Sequence, residues 1–165
     1  MAATQGSEPQ TDEETWDYEK VFSNLNLIEV LSRVLYHHTT NPGCKLVDQS
    51  PTSRNFIIHP NLPAGILPPE NGLVEIQEAL SVEVAADGSP GCIISDVHGH
   101  IPFVRFHAHT EYHPVPGSPD TQAKVTMLLS WRGDCPPLIR NLLRPYVRSS
   151  TVEFLDKVAA DIRAP

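Results

Sequence analysis

No apolar run in this chain approaches the roughly 18 residues that a membrane-spanning helix needs, and no charged-then-apolar leader opens it. Neither a membrane span nor a signal peptide is therefore expected. Positive charge is scarce: 12 Lys and Arg stand against 20 Asp and Glu, a formal net charge of −8. That balance argues against a nucleic-acid or anionic-membrane surface, since both select basic patches. Cysteine is sparse as well. Cys44, Cys92 and Cys135 are widely spaced and form no CxxC pair. An odd count suits reduced thiols inside a cell better than a disulfide framework. GxSxG, P-loop and GxGxxG motifs are all missing, which removes nucleophile-elbow chemistry and phosphate-cradling loops. The expectation is a cytoplasmic protein, monomer or homodimer.

What the chain does have is alternation. Its 165 residues, 40% of them apolar, suffice for one domain that buries roughly 70% of its unfolded surface. Between Gly72 and Arg132, apolar residues recur at every second position: Val74, Ile76, Leu80, Val82 and Val84; then Val104, Phe106, Ala108 and Tyr112; then Val125, Met127, Leu129 and Trp131. A period of two puts each set on one face of a strand. An antiparallel sheet with one apolar face needs a cover, and the helix-patterned tail Pro136 to Ile162 is the candidate.

The first 15 residues read as a disordered acidic tail, leaving a single domain over 16–165. Trp16, Tyr18 and Phe22 suit a short strand or the first turns of a helix. Leu27, Val30, Leu31, Val34 and Leu35 have helical spacing, Asn26 and Glu29 have capping-box spacing, and Asn41-Pro42-Gly43 stops the helix after about His38. Short strands follow near Lys45 to Asp48 and Arg54 to His59. The stretch Pro60 to Gly72, rich in proline, is either a lid or a packed surface loop. Asp87 to Gly91 and Pro114 to Pro119 carry turn chemistry and join hairpins. Ile101-Pro102 marks a bulge or a strand start. In the tail, Asp134 is placed as N-cap. Pro145 and the Ser150/Glu153 capping box predict a kink or break between them. Arg140, Arg144 and Arg148 read as a solvated helix face.

This order of elements resembles the helix-grip superfamily of START and birch-pollen-allergen-like proteins, to which polyketide cyclases, plant hormone receptors and lipid carriers belong. The residues that carry the likeness are GLVEIQEALSVEVA, HIPFVRFHAHTEYHPV, AKVTMLLSWRG and PPLIRNLLRPYVRSS, covering roughly residues 72 to 150. The resemblance implies an α+β fold: a curved antiparallel sheet wrapped around a long, kinked C-terminal helix, with an apolar cavity between them. An NTF2-like cone is the alternative, although that fold usually ends in strands.

Glu78 is the only charge on the inward face of its strand. A carboxylate among aliphatics is paired, protonated or used in proton transfer. It is read here either as an acid–base group or as the partner of an arginine such as Arg54. Tyr112 and Thr110, inward on a later strand, offer hydroxyls to it or to a substrate oxygen. Asp96 and His98 share a parity on the strand Cys92 to His100. They form a carboxylate-oriented histidine if Cys92 and Ile94 face inward, and an exposed hairpin-end pair if they do not. His59 lines a pocket mouth or caps local backbone. Phe106, Met127, Leu129 and Trp131 are core or ligand contacts, with Trp131 able to stack on a flat ligand. His107, His109, Glu111 and His113 share one strand face, a pattern that can hold zinc or iron. The apolar parity of Val104, Phe106 and Ala108 sends that face outward, so a solvated or inter-subunit histidine face is expected and no metal is assigned.

From these residues the acid–base set is Glu78, Tyr112, His98 and Asp96. The resemblance supplies the reaction class: a cofactor-free enzyme of secondary metabolism that cyclises, dehydrates or isomerises a hydrophobic polyketide- or terpenoid-like small molecule. The alternatives are a non-catalytic lipid or ligand carrier, and a metal-dependent enzyme built on the histidine-rich strand.

Overall fold

Alternation becomes a seven-stranded antiparallel sheet in the computed structural model, which describes residues 11–60 and 74–160. The elements are β1 (Thr11–Phe22), α1 (Leu27–Thr40), β2 (Cys44–Ser50), β3 (Ser53–Ile58), β4 (Ile76–Val84), β5 (Pro90–Ile101), β6 (Val104–Pro114), β7 (Thr121–Arg132) and α2 (Pro137–Ala160). Every neighbouring pair is antiparallel, in the order β1-β7-β6-β5-β4-β3-β2. The C-terminal hairpins thus lie mid-sheet, and the first strand closes one edge. The fold class is α+β, as expected.

The first strand is longer than its aromatic triplet suggests. Residues 11–15, assigned above to a tail, pair with the end of β7, with Thr11 opposite Arg132 and Thr15 opposite Leu128. Backbone pairing along a whole strand edge overrides the acidic local composition, because β7 would otherwise leave its donors and acceptors unmatched. Residues 1–10 and 161–165 lie outside the described part, as does all of the Pro60 to Gly72 stretch, read above as a lid or a packed surface loop, except Pro60 itself.

Helix α1 starts where its cap predicts. The Asn26 side chain accepts from the Glu29 amide at 2.9 Å, and the helix runs two residues beyond His38 to Thr40. Its buried stripe, Leu27, Val30 and Val34, ends on His38. Helix α2 departs from expectation at three points. Asp134 is not its N-cap, since its carboxylate is held by Arg132 at 2.5 and 3.0 Å. Pro136 and Pro137 carry no amide hydrogen for a cap to accept. The helix also runs through Pro145 and Ser150 without a break. Ser150 does not cap a second segment; its hydroxyl donates back to the Tyr146 carbonyl at 2.8 Å. Finally, the arginine stripe is not free in solvent. Arg140 and Arg144 lie 5.2 and 5.8 Å from the Trp131 ring, and Arg148 lies 5.7 Å from Trp16. Arg140 pairs with Asp12 and Arg144 with Glu14. The stripe fastens α2 to β1.

Two apolar clusters share the concave face. One joins Phe22, Val30, Val34, Ile93, Val125, Leu155 and Val158. The other joins Ile101, Val104, Leu129, Trp131, Leu143 and Val147. Arg33 donates to the carbonyls of Val158 and Ala159, and Lys20 pairs with Asp156 at 2.9 Å. The last turns of α2 are therefore held by both α1 and β1, while the first turns rest on Trp131. Between these two anchorages the helix bridges the sheet without filling it. None of the described helices is long and apolar enough to cross a membrane.

Candidate active site

The space under the bridging helix is a cavity of about 700 Å³. Its floor comes from inward positions of four strands: Ile76 and Glu78 of β4, Ser95 and Val97 of β5, Phe106, Ala108, Thr110 and Tyr112 of β6, and Met127 of β7. Val147, Phe154 and Leu155 of α2 roof it. Exposed polar residues of the α1 C-terminus and of α2, including Thr40, Asn41, Glu153 and Lys157, rim its opening.

One polar constellation interrupts this apolar lining. Glu78 Oε1 lies 2.5 Å from Nε2 of His38, and Glu78 Oε2 accepts from the Ser95 hydroxyl at 2.8 Å. Glu78 and His38 are each only 6% exposed. The Glu78 partner is thus a histidine and not Arg54, which donates to the Ser50 and Ser53 carbonyls instead. Two aromatic rings fix His38 edge-on, Phe56 with its centroid at 4.6 Å and Phe154 at 5.3 Å. Packed rings on both sides leave the imidazole little rotational freedom, so its alignment with the carboxylate is built in.

Tyr112 stacks on Phe22 and is fully enclosed. Burial, reinforced by the negative charge of Glu78, pushes its phenol far above the ordinary value. It therefore stays protonated, with a hydroxyl hydrogen to donate. The same two causes, burial first, push the Cys44 thiol at the cavity wall up to about 11, so this cysteine is no thiolate nucleophile.

The positions selected from sequence divide between the two faces. Glu78, Tyr112, Thr110, Phe106, Met127 and His59 all line the cavity. The His59 Nδ1 also reaches the Val74 carbonyl at 3.3 Å. Leu129 and Trp131 face the same way but lie beneath the first turns of α2, outside the lining. Trp131 is 1% exposed, with Arg140 and Arg144 over its ring and its indole N–H donating to Glu14 at 2.7 Å, so it offers no free face for a ligand. Asp96 and His98 do not enter the cavity. The inward parity of β5 is that of Ile93, Ser95 and Ile101, which sends Asp96 and His98 to the convex face.

Asp96 there accepts from His107 Nε2 at 2.9 Å and from His109 Nδ1 at 2.7 Å. Burial raises the Asp96 carboxyl, but these two hydrogen bonds outweigh it and hold the group below the usual range. The histidine-rich face thus points outward, as its parity requires.

Sequence reasoning missed His38 and Ser95. Both had a signal. His38 occupies the next position of the stripe Leu27, Val30, Leu31, Val34, Leu35, where a titratable residue on an apolar face called for a partner. Ser95 follows Ile93 by two, and that parity was obscured because Cys92 and Ile94 are apolar as well.

No protein-family model matches the sequence, and no curated protein matches it. Solved structures do share its architecture. The Zhui aromatase/cyclase from Streptomyces sp. R1128 is 14% identical, covering 93% of this chain and 98% of that one, with a TM-score of 0.61. Norcoclaurine synthase from Thalictrum flavum, in complex with dopamine and hydroxybenzaldehyde, is 10% identical over 92% of this chain and 87% of that one, with a TM-score of 0.54. Ara h 8.0201 is 11% identical over 90% and 97%, also at 0.54. Identities this low speak for the fold and leave the chemistry to the residues of this chain. The chain has the helix-grip fold of the START and birch-pollen-allergen-like proteins, its curved sheet closed over a C-terminal helix.

Proposed function

We propose that the protein is an enzyme that moves a proton on a hydrophobic, oxygen-bearing small molecule held in this cavity, in the course of a cyclisation, dehydration or isomerisation. The observation that carries this reading is the hydrogen-bonded His38–Glu78–Ser95 constellation buried in the cavity wall. A carboxylate and an imidazole in contact, shielded from water, form a proton-transfer pair whose partners are aligned before substrate arrives. Tyr112 and Thr110 then serve as donors to the substrate oxygen on which negative charge develops. The aliphatic and aromatic floor folds the substrate by shape. The role first given to Asp96 and His98 passes to these residues, because the earlier pair lies on the opposite face. Two proteins of this fold, an aromatase/cyclase and norcoclaurine synthase, lend the reaction class support.

A carrier reading has one specific observation in its favour: both Glu78 oxygens already have partners, as a purely structural carboxylate would. Hydrogen–deuterium exchange separates the two. Wild-type protein in D2O with a panel of aromatic ketones and polyketones should catalyse deuterium uptake at the carbon next to the carbonyl. Glu78→Gln and His38→Asn should each lower that rate by about 10²–10⁴-fold. Ligands bound but recovered without deuterium, or exchange undiminished in both variants, would leave the carrier reading in place.

A further inference from the structure

We propose that the convex face carries a binding site for a divalent transition-metal ion of the zinc type, built from Asp96, His107 and His109, with His98 as the fourth ligand. The site is separate from the cavity, on the other side of the sheet.

The register makes the cluster. On β5 and β6, Asp96 stands opposite His109 and His98 opposite His107, two adjacent cross-strand pairs. All four side chains leave the same face. One ligand atom from each of Asp96, His107 and His109 lies within 4.8 Å of the others. The Asp96 Oδ1 is already 2.9 Å from His107 Nε2 and 2.7 Å from His109 Nδ1. A tetrahedral ion with bonds of about 2.0–2.2 Å needs its ligand atoms about 3.4 Å apart, so the group must open by about half an ångström. These side chains are between 34% and 40% exposed, which gives them room to do so. The His98 ring stacks on His107 with centroids 4.1 Å apart and planes within 8°. A rotation of this exposed side chain brings a nitrogen toward the same point. Three neutral imidazoles and one carboxylate suit zinc, copper or nickel far better than calcium or magnesium.

A second observation points the same way. His109 offers Nδ1 to the cluster while its Nε2 donates to Glu111 Oε2 at 2.9 Å, and the other Glu111 oxygen is held by His113 Nε2 at 2.9 Å. A carboxylate on the far side of an imidazole is the outer arrangement that fixes the tautomer and orientation of metal-binding histidines. An ion entering the cluster takes the place of the proton on His109 Nδ1 and leaves the contact with Glu111 intact. Glu111 is therefore a positioning residue and not a ligand. Once bound, the ion clamps β5 to β6 at mid-sheet, behind the strands that carry Ser95, Thr110 and Tyr112.

The test is zinc chloride titrated by calorimetry into metal-stripped full-length protein, with Co²⁺ absorption as a probe of ligand geometry. Wild type should take up one ion per chain and gain thermal stability. The His107→Gln/His109→Gln double variant, folded to the same extent in metal-free buffer, should show no saturable uptake. Glu111→Gln, with every ligand retained, should weaken binding by about 10–100-fold. Cys92→Ser should bind like wild type. The proposal is overturned if wild type shows no saturable uptake, if the double variant binds unchanged, or if Cys92→Ser abolishes binding, which would place the wild-type ion at the neighbouring Cys92, Glu111 and His113 trio.

Discussion

The ring of Phe106 lies over the backbone of Gly99, its cross-strand partner, so closely that a methyl group at Gly99 would sit 2.3 Å from Cζ and 2.5 Å from Cε1. Phe106 also lines the cavity. Glycine here is a packing requirement: it lets an aromatic ring lie flat against the sheet and keeps the space above it open. Gly99→Ala must push the ring upward into the cavity. The expected result is a loss of about 1–3 kcal/mol in urea unfolding, with weaker binding of an apolar fluorescent probe. Adding Phe106→Leu should restore part of both. Unchanged probe binding in Gly99→Ala would show that Phe106 does not set the cavity floor.

Phe103 takes the positive φ of 74° in the two-residue turn between β5 and β6, directly after Pro102. Glycine is the usual occupant of that conformation. What keeps phenylalanine is contact: its ring lies 5.2 Å from the Arg132 guanidinium, and its carbonyl accepts from the Arg132 amide at 2.9 Å. Phe103→Ala loses the ring and keeps the strain, whereas Phe103→Gly loses both. The glycine variant should therefore be the more stable of the two by about 1 kcal/mol, inverting the ordinary order of alanine over glycine. Thermal denaturation of the pair reads this directly, and the ordinary order would refute the strain.

The His38–Glu78 pair has opposite consequences for stability and function. Removing one partner of a buried carboxylate–imidazole pair leaves a polar group unmatched and costs about 3–5 kcal/mol, while replacing both with apolar residues of like volume is often neutral or stabilising. His38→Leu and Glu78→Leu should each fall in that range. The double variant His38→Leu/Glu78→Leu should recover most of the loss and have no exchange activity. A double variant destabilised by the sum of the singles would mean the pair contributes to folding independently at each end, and the case for a functional pair would weaken.

These residues also show where sequence sufficed. Alternation alone placed Glu78, Tyr112 and Thr110 on the concave face and the imidazoles of His107 and His109 on the convex one, because strand parity is a local property. It failed for Asp96 and His98, where apolar residues of both parities, Cys92, Ile93 and Ile94, left the facing of β5 undetermined. The contact between His38 and Glu78 joins residues 40 positions apart on a helix and a strand, and no local pattern encodes such a pairing. The arginine stripe of α2 was misread for a related reason. Periodicity finds a polar face but cannot foresee that Asp12, Glu14 and two tryptophans wait beneath it.

That stripe carries a pH signature. Glu14 accepts from Arg144 Nε at 2.8 Å and from the Trp131 indole at 2.7 Å. Partial burial raises its carboxyl, but the two hydrogen bonds and the charges of Arg144 and Arg148 outweigh burial and leave it below its ordinary value of 4.5. A carboxyl depressed in the folded state stabilises the fold above its unfolded value, and the contribution disappears as pH falls through the folded one. Glu14→Gln keeps an acceptor for Trp131 and removes the charge. Wild type should therefore exceed this variant in unfolding free energy by a constant amount at neutral pH, no more than about 1 kcal/mol for a pair this exposed. The gap should close progressively below 4.5 and narrow in high salt. Urea unfolding of both proteins across that range is the measurement. No gap at any pH would mean that Glu14 holds β1 to α2 through its hydrogen bond to Trp131 alone, with no part played by its charge.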